Sequence, residues 1–386
     1  MPINAPFITS PFITAMLVPT GIGASVGGFA GDATPVMNLL SSCCDILITH
    51  PNVANAALFQ KLPDNALYVE GYALDRFFKG EWSLAPVRAN RVGVLMDSGI
   101  PAELKMFHHN VLRSLQAVYG IDIVAIEETA APLQITYGIF ESENVTKETN
   151  CSSGALQNPH VLLETAEKLK KRGAEAIALC VYFAENQTNQ VDEQAYRNGV
   201  GVDPVGGVEA ILSHTVVSAL KLPCANSPVF PYEGASAQAS PAFYELLNPK
   251  VAAEYLAPTF LPCVVQGLSK APRILEKNQR RDAQAVSVEQ LNALVVPADA
   301  LGGAAVLACL ARKIPVIAVS QNKTVCDITP AHFLKSQAER SDGRLYEVAS
   351  YLEAAGLLQA LRQGITPASL GRAHLVPDTV FAAIGI

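Results

Sequence analysis

A chain of 386 residues has room for two or three packed domains, and half of its residues are hydrophobic while only 16% are charged, which excludes a disordered protein. Aromatic residues make up 7%, so the apolar content is small and aliphatic, as layered α/β cores require. Lys and Arg number 28 against 35 Asp and Glu, a net charge of −7 that points away from nucleic acid as a partner.

The first 21 residues carry four prolines and no basic segment, and they run into a glycine loop. They read as neither a signal peptide nor a membrane span. The eight cysteines are scattered without a C-x-x-C pair and read as free thiols of a reducing compartment. Together these features predict a cytoplasmic protein with no membrane partner.

Short apolar runs at 12–18, 46–49, 91–96, 121–126, 176–182, 293–296 and 316–319 predict buried parallel strands. Helical patterns at 102–119, 159–172 and 303–312 lie between them. The alternation predicts an α/β fold: a mostly parallel sheet with flanking helices, built from βαβ units. Loops are expected at 63–89, 127–158 and 228–257. The expected division is a glycine-loop unit at 1–90, a central unit at 91–235 and a C-terminal unit at 236–386, packed into one or two compact bodies.

One pattern recurs along the chain. A Gly-Gly pair, an apolar helical segment and a strand ending in Asn occur at Gly27-Gly28 with Asn52, at Gly206-Gly207 with Asn226, and at Gly302-Gly303 with Asn322. This reads as an internal pseudo-repeat. Glycines ahead of a helix leave its first N–H groups open, and those donors with the positive helix end suit a phosphate or carboxylate. Glycines that merely let a helix pack on its strand are the plainer alternative. Strand ends and helix N-termini share one edge of a parallel sheet, so the three copies predict a convergent ligand site.

The first copy also holds Gly21 and Gly23, but its G-x-G-x-x-x-G spacing departs from the dinucleotide fingerprint. No acidic residue ends the next strand, where Thr49-His50-Pro51-Asn52 stands. A nest for phosphate or carboxylate is the better reading, and no cofactor is implied.

Candidate catalytic groups are His50 at a strand end, Asp32 and Asp203 beside glycine turns, and Lys323 after a β-branched strand, where it could clamp an anion. Asp299 sits beside the third glycine pair, and helix capping is the alternative role for each Asp. A metal held by Asp32, His50, Asp203 and Glu209 is a weaker reading, because Glu209 and His214 are five apart on their helix.

Cys180 and Cys224, each next to a strand, look like the opposed cysteine pair of cofactor-independent aspartate/glutamate racemases, although Cys180 is followed by Val181-Tyr182. Inert buried thiols are the alternative. A broader resemblance rests on the motifs at 18–28, 48–53, 202–210 and 314–319. These are similar to an uncharacterised family found in cyanobacteria, with plastid relatives, and that resemblance implies a photosynthetic source but no activity.

The functional expectation is an enzyme acting on a small anionic metabolite, phosphorylated or carboxylated. Gly21, Gly23, Gly27, Gly28, Gly206, Gly207, Gly302 and Gly303 would hold it, and Asn52, Asn226 and Asn322 would orient it. The alternatives are a sensing or assembly protein that binds without turnover, and a cysteine racemase or isomerase. The apolar surplus is compatible with a homo-oligomer.

Overall fold

The computed structural model describes residues 10–55, 62–141, 150–184, 193–231, 246–277, 282, 284–333 and 344–370. The chain begins β1 (Ile13–Met16), α1 (Thr34–Ser41), β2 (Ile46–Thr49), α2 (Pro51–Ala54), β3 (Ala66–Tyr68), α3 (Gly71–Phe78) and β4 (Trp82–Ala85). It continues β5 (Val92–Met96), α4 (Ala102–Tyr119), β6 (Ile123–Glu128), β7 (Ile135–Glu141), β8 (Asn150–Leu156), α5 (Pro159–Lys171), β9 (Ala176–Tyr182) and α6 (Glu193–Arg197). Then follow α7 (Gly206–Leu220), β10 (Cys224–Val229), α8 (Pro249–Leu256), α9 (Leu261–Lys270), β11 (Arg273–Glu276) and β12 (Leu291–Pro297). The last described elements are α10 (Ala304–Ala311), β13 (Val316–Val319), β14 (Leu345–Val348), α11 (Tyr351–Arg362) and α12 (Pro367–Leu370).

Two parallel sheets organise these elements. The first has six strands in the order β3-β2-β1-β12-β13-β14, and the second has four in the order β6-β5-β9-β10. Every pairing within both is parallel. Strands such as Ile13–Met16, Val92–Met96 and Val316–Val319 are buried at every position, which is why their sequences are apolar but for Thr14. The mostly parallel α/β fold expected from the sequence is therefore what the chain adopts. Two antiparallel pairs, β4 with β11 and β7 with β8, decorate it.

Strand order reverses direction between β1 and β12 in the first sheet and between β5 and β9 in the second. In open α/β sheets such reversals open a crevice at the carboxyl ends of the strands, where ligands bind. The three copies of the repeat are the βαβ units β1-α1-β2, β9-α7-β10 and β12-α10-β13. Gly27-Gly28 and Gly302-Gly303 fall in the connection from strand to helix, whereas Gly206-Gly207 form the first turn of α7. Asn226 departs from the pattern, since it lies inside β10 instead of ending the strand.

The helices follow from local signals. In α5, Pro159 starts the first turn, Val161, Leu162, Thr165, Ala166 and Leu169 form the buried stripe, and Lys168, Lys170 and Lys171 close the last turn. Helix α7 is apolar nearly all round because it is covered on several sides, by α3, α5, β8 and β10. Helix α9 bridges the sheets, packing on β9, β10 and β3. A Cβ at Gly267 would stand 2.7 Å from the Tyr68 ring, so only glycine lets α9 lie this close to β3.

Two apolar clusters each run across both sheets. One joins Ile13, Ile48 and Leu294 to Leu95 and Leu179 through α3 and α7, and the other joins Met16, Leu47 and Val295 to Val94 and Cys180 through α1 and α9. Strands β1, β2 and β3 of 1–90 share the first sheet with β12, β13 and β14 of 236–386, and β5, β6, β9 and β10 of 91–235 form the second.

The expected loop at 63–89 instead holds β3, α3 and β4. Its strands have only three or four residues, and α3 is capped by Glu70, whose carboxylate accepts from Tyr72 and Ala73 N–H, in place of the usual Ser, Thr, Asp or Asn. The expected loop at 127–158 holds the β7–β8 hairpin. In the loop at 228–257, α8 forms at its end and residues 232–245 lie outside the described residues.

Candidate functional site

The first glycine loop, just past the carboxyl end of β1, meets β8 and the start of α7. Gly21, just past β1, accepts a hydrogen bond through its carbonyl from Ser152 N–H of β8 at 3.2 Å. Ser152 Oγ in turn accepts from Gly207 N–H at the start of α7, at 2.6 Å. A Cβ on Gly206 would stand 2.9 Å from the Thr20 side chain and 3.5 Å from Gly21 N. The first and second copies of the repeat thus touch, as convergence requires. The third does not join them through its glycines: a Cβ on Gly302 would meet Ile328, and one on Gly303 would meet open space.

The asparagines serve the loop itself. Asn52 Nδ2 donates to the carbonyls of Gly27, Val18 and Pro19 at 2.7, 3.1 and 3.4 Å. Asn322, fully buried, accepts from Val26 N–H at 2.9 Å and donates to Val26 O at 2.8 Å. Its Nδ2 also lies 2.7 Å from the Tyr351 hydroxyl. Both residues were expected to orient a ligand, and both instead staple the 18–28 segment from two sides. Gly23 and Gly27, at φ of +58° and +86°, supply the left-handed turns between the staples.

His50 is corrected in the same way. Its Nε2 accepts from Val18 N–H at 3.0 Å, and burial pushes its pKa down to about 4. It is a neutral acceptor that holds β2 to the loop, and its coupled lone pair is not free to take a proton. His50→Ala leaves the Val18 N–H unpaired beside a cavity, and we expect a loss of about 2–4 kcal/mol in urea unfolding. Lys323 is exposed, and its backbone N–H and carbonyl bond Ser25. Asp299 accepts from Thr324 N–H and Oγ1 at 3.0 and 2.9 Å, which fixes the loop after β13.

The remaining carboxyl groups gather at the meeting point. Asp32 accepts from Gly27 N–H at 2.8 Å, and Asp203 accepts from Val205 N–H at 3.0 Å. Each therefore occupies the donors of its own glycine turn. Glu254 of α8 reaches the same loop, accepting from Ala30 N–H at 2.6 Å and from the Tyr196 hydroxyl at 2.9 Å. Glu209, in the first turn of α7, accepts from Asn226 Nδ2 at 2.9 Å. Lys250 donates to the carbonyls of Ala24 and Gly199 at 3.3 and 3.5 Å and lies over the Phe29 ring.

These four acids are surrounded by protein yet each keeps some exposure. Desolvation lifts Asp32 to about 6 against the pull of Lys250 and the loop N–H groups. It lifts Asp203 to about 6 and Glu254 to about 8, the latter reinforced by the charge of Asp203. Glu209 is pushed well up by burial and by the charge of Asp203. Carboxyl groups that hold protons near neutrality are the kind that exchange them in catalysis.

Sequence reasoning found Asp32, Asp203 and Glu209 but missed Glu254, Lys250, Tyr196 and Ser152. Glu254 bonds a residue 224 positions away, and no local pattern announces it. Asp97 was also missed, although an acid placed directly after the apolar run of β5 was a visible signal. It is buried and accepts from Gly99, Leu133 and Tyr182 N–H at 3.0, 3.1 and 3.3 Å.

The cysteine pair is corrected by register. Cys180 pairs with Ser227, so Cys224 lies three residues back along β10 and points to the opposite face of the sheet. Both thiols are fully buried, in different apolar clusters. They cannot flank one carbon across a cleft.

An uncharacterised lipoprotein from a Synechococcus species is 39% identical over 358 residues, covering 92% of each chain. That name overturns the cytoplasmic expectation, since a lipoprotein points to a membrane-anchored protein. Among the described residues no single helix is long and apolar enough to cross a membrane. The cyanobacterial relative agrees with the resemblance seen in the sequence motifs. A family described as protein of unknown function DUF3326 matches residues 13–371, and the chain belongs to that family.

Proposed function

We propose that the protein is an enzyme acting on a small metabolite bound where the first glycine loop meets β8 and the start of α7, with Asp203 and Glu209 exchanging protons with it. The observation that carries this reading is the pair itself. Two acids flank the glycine turn that opens α7, each keeps some exposure, burial raises both, and the charge of Asp203 raises Glu209 further. A pair whose ionisations are linked in this way can present one acid and one base in the same pocket near neutral pH.

Asn226 positions Glu209 through its amide, and Ser152 fixes the turn beside Asp203. The first glycine loop follows β1 at the β1/β12 reversal, the kind of edge where open α/β sheets hold their ligands. Sensing without turnover would use the same pocket and differs only in the absence of exchange.

The test starts from a thermal-shift screen of small metabolites against the full chain, since a ligand of the native state raises the melting temperature by mass action. Each stabilising compound is then incubated in D2O and followed by proton NMR. Deuterium entry at a carbon position, slowed about 100-fold or more in Glu209→Gln and Asp203→Asn, is the expected result. Stabilisation without exchange in any compound would replace the enzyme with a sensor, and exchange unaltered by both variants would remove these two acids from the chemistry.

A further inference from the structure

Resting on the site proposed above, we infer that the junction takes a metabolite through an ammonium group, seated against Asp203, Glu209 and Asn226. This departs from the anionic ligand that the glycine pairs suggest. The reason is that the chain already supplies the anions: Asp32 takes the Gly27 donor, Glu254 the Ala30 donor, and Asp203 the Val205 donor. Ser152 Oγ takes the Gly207 donor. A phosphate entering here would meet carboxyl groups where it needs N–H groups.

What the junction offers is acceptors. Asn226 is 8% exposed, and while its Nδ2 is bound to Glu209, its Oδ1 has no hydrogen-bond partner. A buried carbonyl oxygen left in this state is unfavourable until a donor reaches it. Charge agrees: among the described residues Asp32, Asp203, Glu209 and Glu254 crowd the junction, and Lys250 faces Asp32 and Glu254. Among the described residues no three His, Cys, Asp or Glu side chains are placed to hold a metal ion. An ammonium group brings both the positive charge and the N–H donors, and it needs no coordination shell.

The experiment is calorimetry and thermal shift on the full chain at pH 7.5 with methylammonium, ethanolamine and butane-1,4-diamine, against orthophosphate and citrate at matched ionic strength. Binding of at least one amine is expected, with protons released on binding, read as a difference in apparent heat between two non-amine buffers. A cation beside the acids favours their ionised forms, so the protons must leave. Asn226→Leu is expected to weaken the amine at least tenfold, and Glu209→Gln, which keeps the shape of the side chain, serves if the first variant folds poorly.

Binding of orthophosphate or citrate alone, weakened by Glu209→Gln, would overturn the ammonium assignment and leave the site standing. No binding by either class would overturn the ammonium assignment, and if the metabolite screen above also yields no stabilising compound, the site falls with it.

Discussion

Gly207→Ala is expected to lower the free energy of unfolding by about 3 kcal/mol, while Gly303→Ala, the same change in another copy of the repeat, stays within about 0.5 kcal/mol. The difference lies in what a methyl group would meet. At Gly207 a Cβ overlaps the Ser152 carbonyl and comes within 2.8 Å of Ser153 Cα, all of it backbone of β8. No rotamer change relieves a clash with backbone, so α7 and β8 must move apart, breaking the Gly207–Ser152 bond that ties the helix start to β8 beside the first loop. At Gly303 a Cβ meets nothing within 4 Å, and φ of −73° with ψ of 153° suits any residue. There the small cost of alanine at a helix N-cap is offset by the reduced freedom of the unfolded chain. Urea unfolding of the two variants, read against the parent chain, checks this. Equal losses would mean that the glycine pairs do one common job.

That contrast shows what the repeat encodes. Three copies looked equivalent because a Gly-Gly pair at or just before a helix start, followed by Asn at or near the next strand, is the local grammar of a βαβ unit. Local grammar fixes the turn but not its neighbours. Asn52 and Asn322 look like ligand-facing residues in sequence, yet they bond the loop at 18–28 because β2 and β13 flank β1 and β12 from opposite sides. Strands at 46–49, 176–182 and 316–319 match the observed elements to the residue, since unbroken apolar runs bounded by turns have few other solutions. The short segment β3 and the Glu-capped α3 lacked that contrast. The charge of the site was illegible for a plainer reason: Glu254 and Lys250 come from α8, more than 200 residues beyond the loop they meet. Glycine turns seen without those partners read as empty anion nests, whereas the folded chain has filled them with its own carboxylates.

Those carboxylates make stability fall as pH rises, and Glu254→Gln is expected to remove its own share of the fall. Burial and the charge of Asp203 raise the Glu254 pKa from 4.5 to about 8. The folded state therefore keeps a proton that the unfolded chain gives up. Its stabilising share is present in full below pH 4.5 and is lost progressively as pH climbs through 8. A shift of this size corresponds to about 5 kcal/mol at 1.36 kcal/mol per unit, and the partial exposure of Glu254 trims it to about 3 kcal/mol.

Asp32 and Asp203, raised from 3.8 to about 6, act with the same sign over the lower part of that range. His50, lowered from 6.5 to about 4, has the opposite sign: its share is lost as pH falls from 6.5 to 4. Below pH 6 these opposed groups partly cancel, so the comparison is made from pH 6.5 to 8.5, where Glu209 acts with the same sign in both proteins and drops out of the difference. Glutamine keeps the acceptor for Ala30 N–H and offers an amide to the Tyr196 oxygen. The variant should match the parent chain near pH 5 and exceed it by about 3 kcal/mol near pH 8.5. Melting curves across that interval provide the measurement. Parallel curves for the two proteins would show that Glu254 is already ionised at neutral pH, and the proton-holding character assigned to this junction would have to rest on Asp203 and Glu209 alone.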